Sequence, residues 1–338
     1  VVFCSGQTTA AASDTFFGEF IGGTTSPLVY FVIFLALTML VIILGVEKGI
    51  EKVSKVMLPV LIVLAIAISI YVLTIPGSGE GLKYYLMPDL SKFSLKTVCA
   101  AMGQMFFSMS LAMGIMVTYG SYAKDEVSLT RSTNQIEIFD TLVALLAGLM
   151  VIPAVYVFSG EAGLESSGPG LMFVTLPKVF DQMAAGTVIG ALFFILVFLA
   201  ALTSSISLME SLVSCLMDKF HIERKKGAVM VFIWCIILGI PSSLGNGPLA
   251  SIKILGMDFL TFFDFLSNSV LMPLVALFTC ILIGWVVGTD SIVNEVTKNG
   301  ERLRRKTLYE VVIKYVAPVL LVVILVFYTM AQFGIIKY

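Results

Sequence analysis

Histidine is almost missing from this chain: its 338 residues hold one, His221, set in a charged loop where it reads as a solvated surface group. No apolar run contains a histidine that could activate a serine or share a metal ion. Neither a His-Glu-x-x-His nor a Gly-x-Ser-x-Gly pattern occurs. Charge is scarce as well, at 13% of residues against roughly 25% in a soluble domain. The net charge of −1 leaves no basic field for nucleic acid. The five cysteines are an odd number, and Cys99, Cys215, Cys235 and Cys280 all fall in apolar runs, which argues against a disulfide framework. These shortages argue against an enzyme and against an organic cofactor. The polar groups left inside apolar sequence are hydroxyls, amides and isolated acids, which suit binding and release better than bond cleavage.

What the chain has in excess is hydrocarbon. Hydrophobic residues make up 58% and the mean hydropathy is +1.01, the composition of an all-α polytopic membrane protein embedded in lipid. Eight complete spans are expected: Leu28–Gly45, Val56–Ile75, Lys96–Tyr122, Thr133–Phe158, Thr187–Met217, Ala228–Ile240, Thr261–Val287 and Leu308–Phe333. Ala228–Ile240 is short and calls for tilt or local thinning of the bilayer. Phe173–Met183, inside a Gly/Pro-rich connector, is expected to form a helix that re-enters or caps the protein. Val1–Cys4 reads as the tail of a preceding helix, and the chain as a fragment without its N-terminal part. The loops after the first, third, fifth and seventh spans carry fourteen Lys and Arg against five on the other side, which places the first set in the cytoplasm.

Three features carry chemistry. Gly103-Gln104-Met105-Phe106-Phe107-Ser108-Met109-Ser110-Leu111-Ala112-Met113-Gly114 puts two hydroxyls and an amide at mid-depth of the third span. Isolated serines could bond back to the preceding turn and be tolerated, but Gln, Phe-Phe and two Ser between glycines fit better with a helix that breaks and whose freed backbone groups line a cavity. Ala200-Ala201-Leu202-Thr203-Ser204-Ser205-Ile206-Ser207 holds four hydroxyls in five residues. That is either an oxygen-rich seat for a hard monovalent cation such as Na⁺ or a small-residue packing seam. Asp140 and Glu210 lie within apolar spans and Asp264 in the outer turns of another. An ionised carboxylate in hydrocarbon costs about 3 kcal/mol even on the lenient scale, so each is a site, a structural pair or an interface residue. Pairing is a serious alternative for Glu210 and the water interface for Asp264.

Taken together, the motifs resemble the neurotransmitter:sodium symporter family, most closely its bacterial eleven-span amino-acid transporters. The matching pieces are Gly49-Ile50-Glu51-Lys52-Val53-Ser54-Lys55-Val56-Met57-Leu58-Pro59, the Gly103–Leu111 stretch, and Thr118-Tyr119-Gly120-Ser121-Tyr122. Asp140-Thr141-Leu142 with Ala147-Gly148, Ala200–Ser205, and Tyr315-Val316-Ala317-Pro318 complete them. The resemblance implies an inverted-repeat sodium symporter fold with discontinuous helices, of which the first three spans lie outside this chain. It implies two Na⁺ ions, one held by Ser108 and Asp140, the other by the Ala200 carbonyl with Thr203 and Ser204. Phe107, Ser108, Ser110, Met113, Ser205 and Leu208 would meet the substrate. Gln104 and Asp264 resemble an outer gate, and Tyr122 and Asp218 an inner one. Glu210 receives no role from the resemblance. Animal members of the family need Cl⁻, held partly by a serine four residues after the asparagine that Asp140 replaces; here that position is Ala144.

The expected activity is sodium-coupled import of a small neutral amino acid across a bacterial plasma membrane, by alternating access. Met113 and Leu208 point to a hydrophobic or aromatic one. A non-transporting amino-acid sensor or a channel on the same fold is the alternative.

Overall fold

The computed structural model describes residues 5–165, 168–298 and 300–333, so the expected helix tail at Val1–Cys4 lies outside the described residues. Among them the secondary structure is helical, apart from a single two-residue bridge between Ile254 and Met257. In chain order the helices that matter here are α1 (Thr25–Ile43), α2 (Lys48–Leu73), α3 (Ser78–Leu86), α4 (Leu95–Ser108), α5 (Ile115–Ser121) and α6 (Leu129–Leu164). They are followed by α7 (Leu176–Gln182), α8 (Gly186–Phe220), α9 (Arg224–Leu244), α10 (Phe259–Val287), α11 (Thr289–Thr297) and α12 (Lys306–Gln332).

Seven of these, α1, α2, α6, α8, α9, α10 and α12, are long and apolar enough to cross a membrane. The stretch expected as an interrupted third span is divided into α4 and α5, neither of which reaches across alone at ~1.5 Å per residue. The expected short span at Ala228–Ile240 is 21 residues in the structure, because α9 starts at Arg224 and continues through Pro241 to Leu244. Its charged first turn enters the helix because Arg224 has a buried partner, described below. The expected capping helix is α7, introduced by a π-helical turn at Leu171–Thr175.

The described residues divide into two compact units. The first is drawn from Val1–Pro88 and Thr141–Lys253, the second from Asp89–Asp140 and Ile254–Tyr338. The core of the first is a stripe on α2, Leu61, Ala65, Ile68 and Val72, at the spacing of one helix face. It packs with Met150, Ala154 and Val155 of α6, Leu176, Val179 and Phe180 of α7, and Ile189, Phe193 and Leu196 of α8. Within this apolar set the Ser69 hydroxyl is satisfied by the Ala65 carbonyl at 2.7 Å. The rings of Phe180 and Phe193 meet at 5.3 Å between centroids, which fastens α7 to the N-terminal half of α8.

The second unit is built on α10 and α12 with the two halves of the divided span. Both long helices widen before a proline: α10 has a π-helical turn at Phe265–Leu271 ahead of Pro273, and α12 one at Val312–Val316 ahead of Pro318. Proline lacks an N–H and crowds the carbonyl four residues back. A widened turn there accommodates the conflict without ending the helix. Hydroxyl and carboxylate caps fix two of the starts. Ser94 accepts from the Thr97 amide at α4, and Asp258 from the Thr261 amide at α10.

Candidate functional site

In the second unit the break in the divided span falls within the stretch singled out above. The helical ladder of α4 ends as the Met109 amide reaches the Met105 carbonyl at 3.0 Å and the Leu111 amide the Phe106 carbonyl at 2.9 Å. Ser110 and Ala112 then take φ of 53° and 60°, and Gly114 takes 77° before α5 restarts. Left-handed backbone costs an ordinary residue roughly 1–2 kcal/mol, and Gly114 removes that cost at one of the three positions. The sequence favoured a break over back-bonded serines, and the backbone here is broken.

The Ser108 hydroxyl, at the last residue of α4, donates to Asp140 Oδ1 at 2.5 Å. That length is at the short end for a hydroxyl on a carboxylate. It joins the end of the broken helix to α6 through two of the residues expected to hold the first sodium. Ser110 and Met113 are half-buried in the break itself, and Phe107 is 53% exposed.

Gln104 and Phe107 line a cavity of about 320 Å³ that also takes in Asp264, Asn268, Pro273 and Tyr328. The two residues expected as an outer gate, Gln104 and Asp264, thus face one space. Asp264 Oδ1 accepts from Asn268 Nδ2 at 2.7 Å, one turn along α10. Tyr328 of α12 reaches the wall of the cavity over Gly103, where an added Cβ would stand 2.2 Å from the tyrosine oxygen. Tyr122, the expected inner-gate residue, closes α5 and lies half-buried beside the Tyr119 ring.

In the first unit, the hydroxyl-rich turn of α8 shows a pattern in its protons. Thr203 Oγ1 donates to the Ala200 carbonyl at 2.9 Å. Ser207 donates to the Thr203 carbonyl at 3.1 Å. Thr38 of α1 donates to the Phe34 carbonyl at 3.0 Å, and its oxygen lies 2.9 Å from that of Ser205. A hydroxyl has one proton. Thr38 has spent its own, so the bond to Ser205 is donated by Ser205. Thr203 and Ser205 therefore offer outward only lone pairs, the arrangement a cation requires. The Ala200 carbonyl and the Thr203 hydroxyl, two of the three expected sodium ligands, sit side by side; Ser204 is exposed on the same turn. Leu208 is exposed one turn further on, and Asp218, the other expected inner-gate residue, is exposed near the end of α8.

Glu210 is fully buried, and Arg224 reaches it with both terminal nitrogens, at 2.6 and 2.9 Å. Of the readings open for this acid, the structure gives pairing. Neither Tyr328 nor Thr38 stands out in the sequence. The available signals were a glycine at position 103 with no turn to require it and a lone threonine in the apolar run of α1.

Comparison with known proteins agrees with this geometry. The family model described as the sodium:neurotransmitter symporter family matches residues 19–338. An uncharacterised sodium-dependent transporter of Bacillus subtilis (strain 168) is 33% identical over 86% of this chain and 64% of its own length. A sodium- and chloride-dependent taurine transporter of Rattus norvegicus is 30% identical over 65% of this chain and 36% of its own. The chain therefore spans about two thirds of the first relative and about a third of the second. Among solved structures, MhsT in complex with L-phenylalanine superposes with a TM-score of 0.84 at 35% identity, over 96% of this chain and 74% of that one.

Proposed function

Because the chain belongs to the sodium:neurotransmitter symporter family, an integral multi-pass membrane family, we propose that it serves sodium-coupled symport of a neutral, hydrophobic or aromatic L-amino acid. The observation that carries this reading is the 2.5 Å bond from Ser108 to Asp140. It gathers a hydroxyl and a carboxylate beside the freed backbone of a broken helix, the donor set a dehydrated Na⁺ accepts. The Ala200 carbonyl beside Thr203, whose proton is already donated, supports a second sodium, with Ser204 on the same turn. The likeness to a protein solved with L-phenylalanine supports the substrate class, as do the apolar side chains of Met113 and Leu208.

In this reading the substrate-binding residues are Phe107, Ser108, Ser110, Met113, Ser205 and Leu208. Gln104 and Asp264 close the outer path, and Tyr122 and Asp218 the inner one. Sodium acts as co-substrate: it biases the conformational equilibrium only by its preference for one state, so uphill transport needs both ion sites to change between states. The bacterial relatives support a plasma-membrane location.

The test is uptake by the intact protein in proteoliposomes under an imposed sodium gradient. Labelled leucine or phenylalanine accumulates, and Thr203→Ala with Ser204→Ala raises the sodium half-saturation at least tenfold. Better competition by glutamate or lysine than by leucine would overturn the substrate class. An unchanged sodium response in the double variant would overturn the ion site. Binding without sodium-driven flux would instead make the protein a sensor.

A further inference from the structure

We infer that Thr38 is a positioning residue for the sodium-binding turn of α8, acting through Ser205. This rests on the sodium reading of Ala200, Thr203 and Ser204 given above. Thr38 is fully buried in the C-terminal half of α1, whose other hydroxyl residues, Thr25, Ser26 and Tyr30, all lie near its start. Its proton goes to the Phe34 carbonyl one turn back at 3.0 Å, which leaves its oxygen as an acceptor for Ser205 at 2.9 Å.

Ser205 is thereby held with its proton turned toward α1 and its remaining lone pairs outward. It directly follows the two hydroxyl residues expected on the ion, Thr203 and Ser204.

The alternative rotamer shows why this matters. A helical serine freed from Thr38 bonds back to the carbonyl four residues earlier, as Ser207 does with Thr203 in this helix. For Ser205 that carbonyl belongs to Ala201, beside the Ala200 carbonyl offered to the ion. Such a bond draws the acceptors of this turn away from their present directions and tends to bend the helix there. The Thr38–Ser205 bond also fixes the register of α8 against α1 at the level of the ion site.

The bond therefore does two things: it aims a proton away from a cation seat, and it locks the helix that carries the seat. The anchor on α1 lies outside any ligand set, so its removal leaves every direct ion ligand in place. Valine matches threonine in shape and lacks the hydroxyl. Thr38→Val thus isolates the proton relation from packing, while Thr38→Ser keeps it.

The experiment uses the intact protein, purified and reconstituted, with Thr38→Val, Thr38→Ser, Ser205→Ala and Thr38→Val/Ser205→Ala beside Ser204→Ala as the ion-site control. Two readouts are the sodium-induced rise in melting temperature and the sodium half-saturation of substrate binding; the third is the melting temperature without sodium. Thr38→Val is expected to raise the sodium half-saturation about five- to twentyfold and to shrink the sodium-induced stabilisation. Its sodium-free melting temperature stays close to the parent's, and Thr38→Ser stays within about twofold of the parent on sodium. The double variant is expected to match the worse single variant, because both act through one bond.

A normal sodium response in Thr38→Val while Ser204→Ala is impaired overturns the positioning role and spares the ion site. Normal responses in both overturn the two together. A loss in Thr38→Val that is as large without sodium, or that adds to Ser205→Ala, makes Thr38 a packing residue and also overturns the inference.

Discussion

Glu210 and Arg224 make a two-pronged ion pair between α8 and the first turn of α9, with the carboxylate fully buried and the arginine side chain 20% exposed. Fourteen residues separate them, and the turn between includes His221 in left-handed backbone at φ 52°. Arg224 also approaches the Ile42 carbonyl at 3.4 Å, near the C-terminal end of α1. A cation is favoured there by the helix dipole, which offsets part of the unfavourable placement at the N-terminus of its own helix.

Breaking such a pair on one side strands a buried charge. That costs about 3–5 kcal/mol, whereas replacing both partners by apolar residues of similar size is often neutral. Glu210→Met and Arg224→Met are each expected to lower the melting temperature of the detergent-purified protein sharply. The double variant should recover most of the loss. A double variant no better than the worse single one would show that the pair contributes by geometry rather than by charge compensation.

The helices were legible in the sequence where long apolar runs lay between charged turns. The break in the third span was legible too, as glycine, glutamine and serine interrupting a run that aliphatic residues should have filled. The ends were not. Arg224–Lys226 counts as loop by charge, yet it is the first turn of α9 because Arg224 reaches a buried acid that no local pattern reveals. Pro241 reads as a stop and is carried inside the helix. The hydroxyls around Thr203 left an ion seat and a packing seam equally open. Where each proton points is not written in the local sequence: for Ser205 it depends on Thr38, 167 residues away.

Gly103 offers a second test of the candidate site. A methyl group there would fall 2.2 Å from the Tyr328 oxygen and under 3 Å from two of its ring carbons. Gly103→Ala must therefore push the ring of Tyr328 out of its place on α4, beside Gln104 in the cavity wall. We expect substrate affinity to fall severalfold in Gly103→Ala and to return in part when Tyr328→Leu is added, since leucine vacates the colliding positions. Unchanged binding in Gly103→Ala would mean that the ring moves freely and takes no part in shaping the cavity.

On the Lys- and Arg-rich side, α11 is tied at both ends. Lys306 hydrogen-bonds Asp290 at 2.9 Å and holds its carboxyl below the usual range. Asp125 hydrogen-bonds Lys298 at 3.0 Å and raises the lysine above its usual range. A depressed carboxyl contributes stability above its ordinary pKa and loses it as pH falls through the lower folded value. A raised lysine contributes below its ordinary pKa and loses it as pH rises through the higher folded value. Both contacts are thus present from about pH 5 to 9. Proteolysis within the connector around α11 should be flat over that range and accelerate in strong acid and again in strong alkali. Asp290→Asn should abolish the acid limb. A transition near neutral pH in the parent would show that another group governs the connector.

Chloride gives the last prediction. Ala144, one turn after Asp140 on α6, has no group to donate to an anion. The Asp140 carboxylate, already bonded to Ser108, supplies a negative group beside the expected first sodium. A fixed carboxylate next to Na⁺ balances the cation as a bound chloride would, and it repels a mobile anion from the same low-dielectric space. Sodium-driven uptake should accordingly be unchanged when gluconate replaces chloride. Asp140→Asn removes the fixed charge and Ala144→Ser adds a hydroxyl donor, so the pair of changes should create a chloride requirement. Asp140→Asn alone should impair sodium binding with little response to chloride. Strong chloride dependence of the unmutated protein would show that Asp140 serves only as a sodium ligand and that the balancing charge comes from elsewhere.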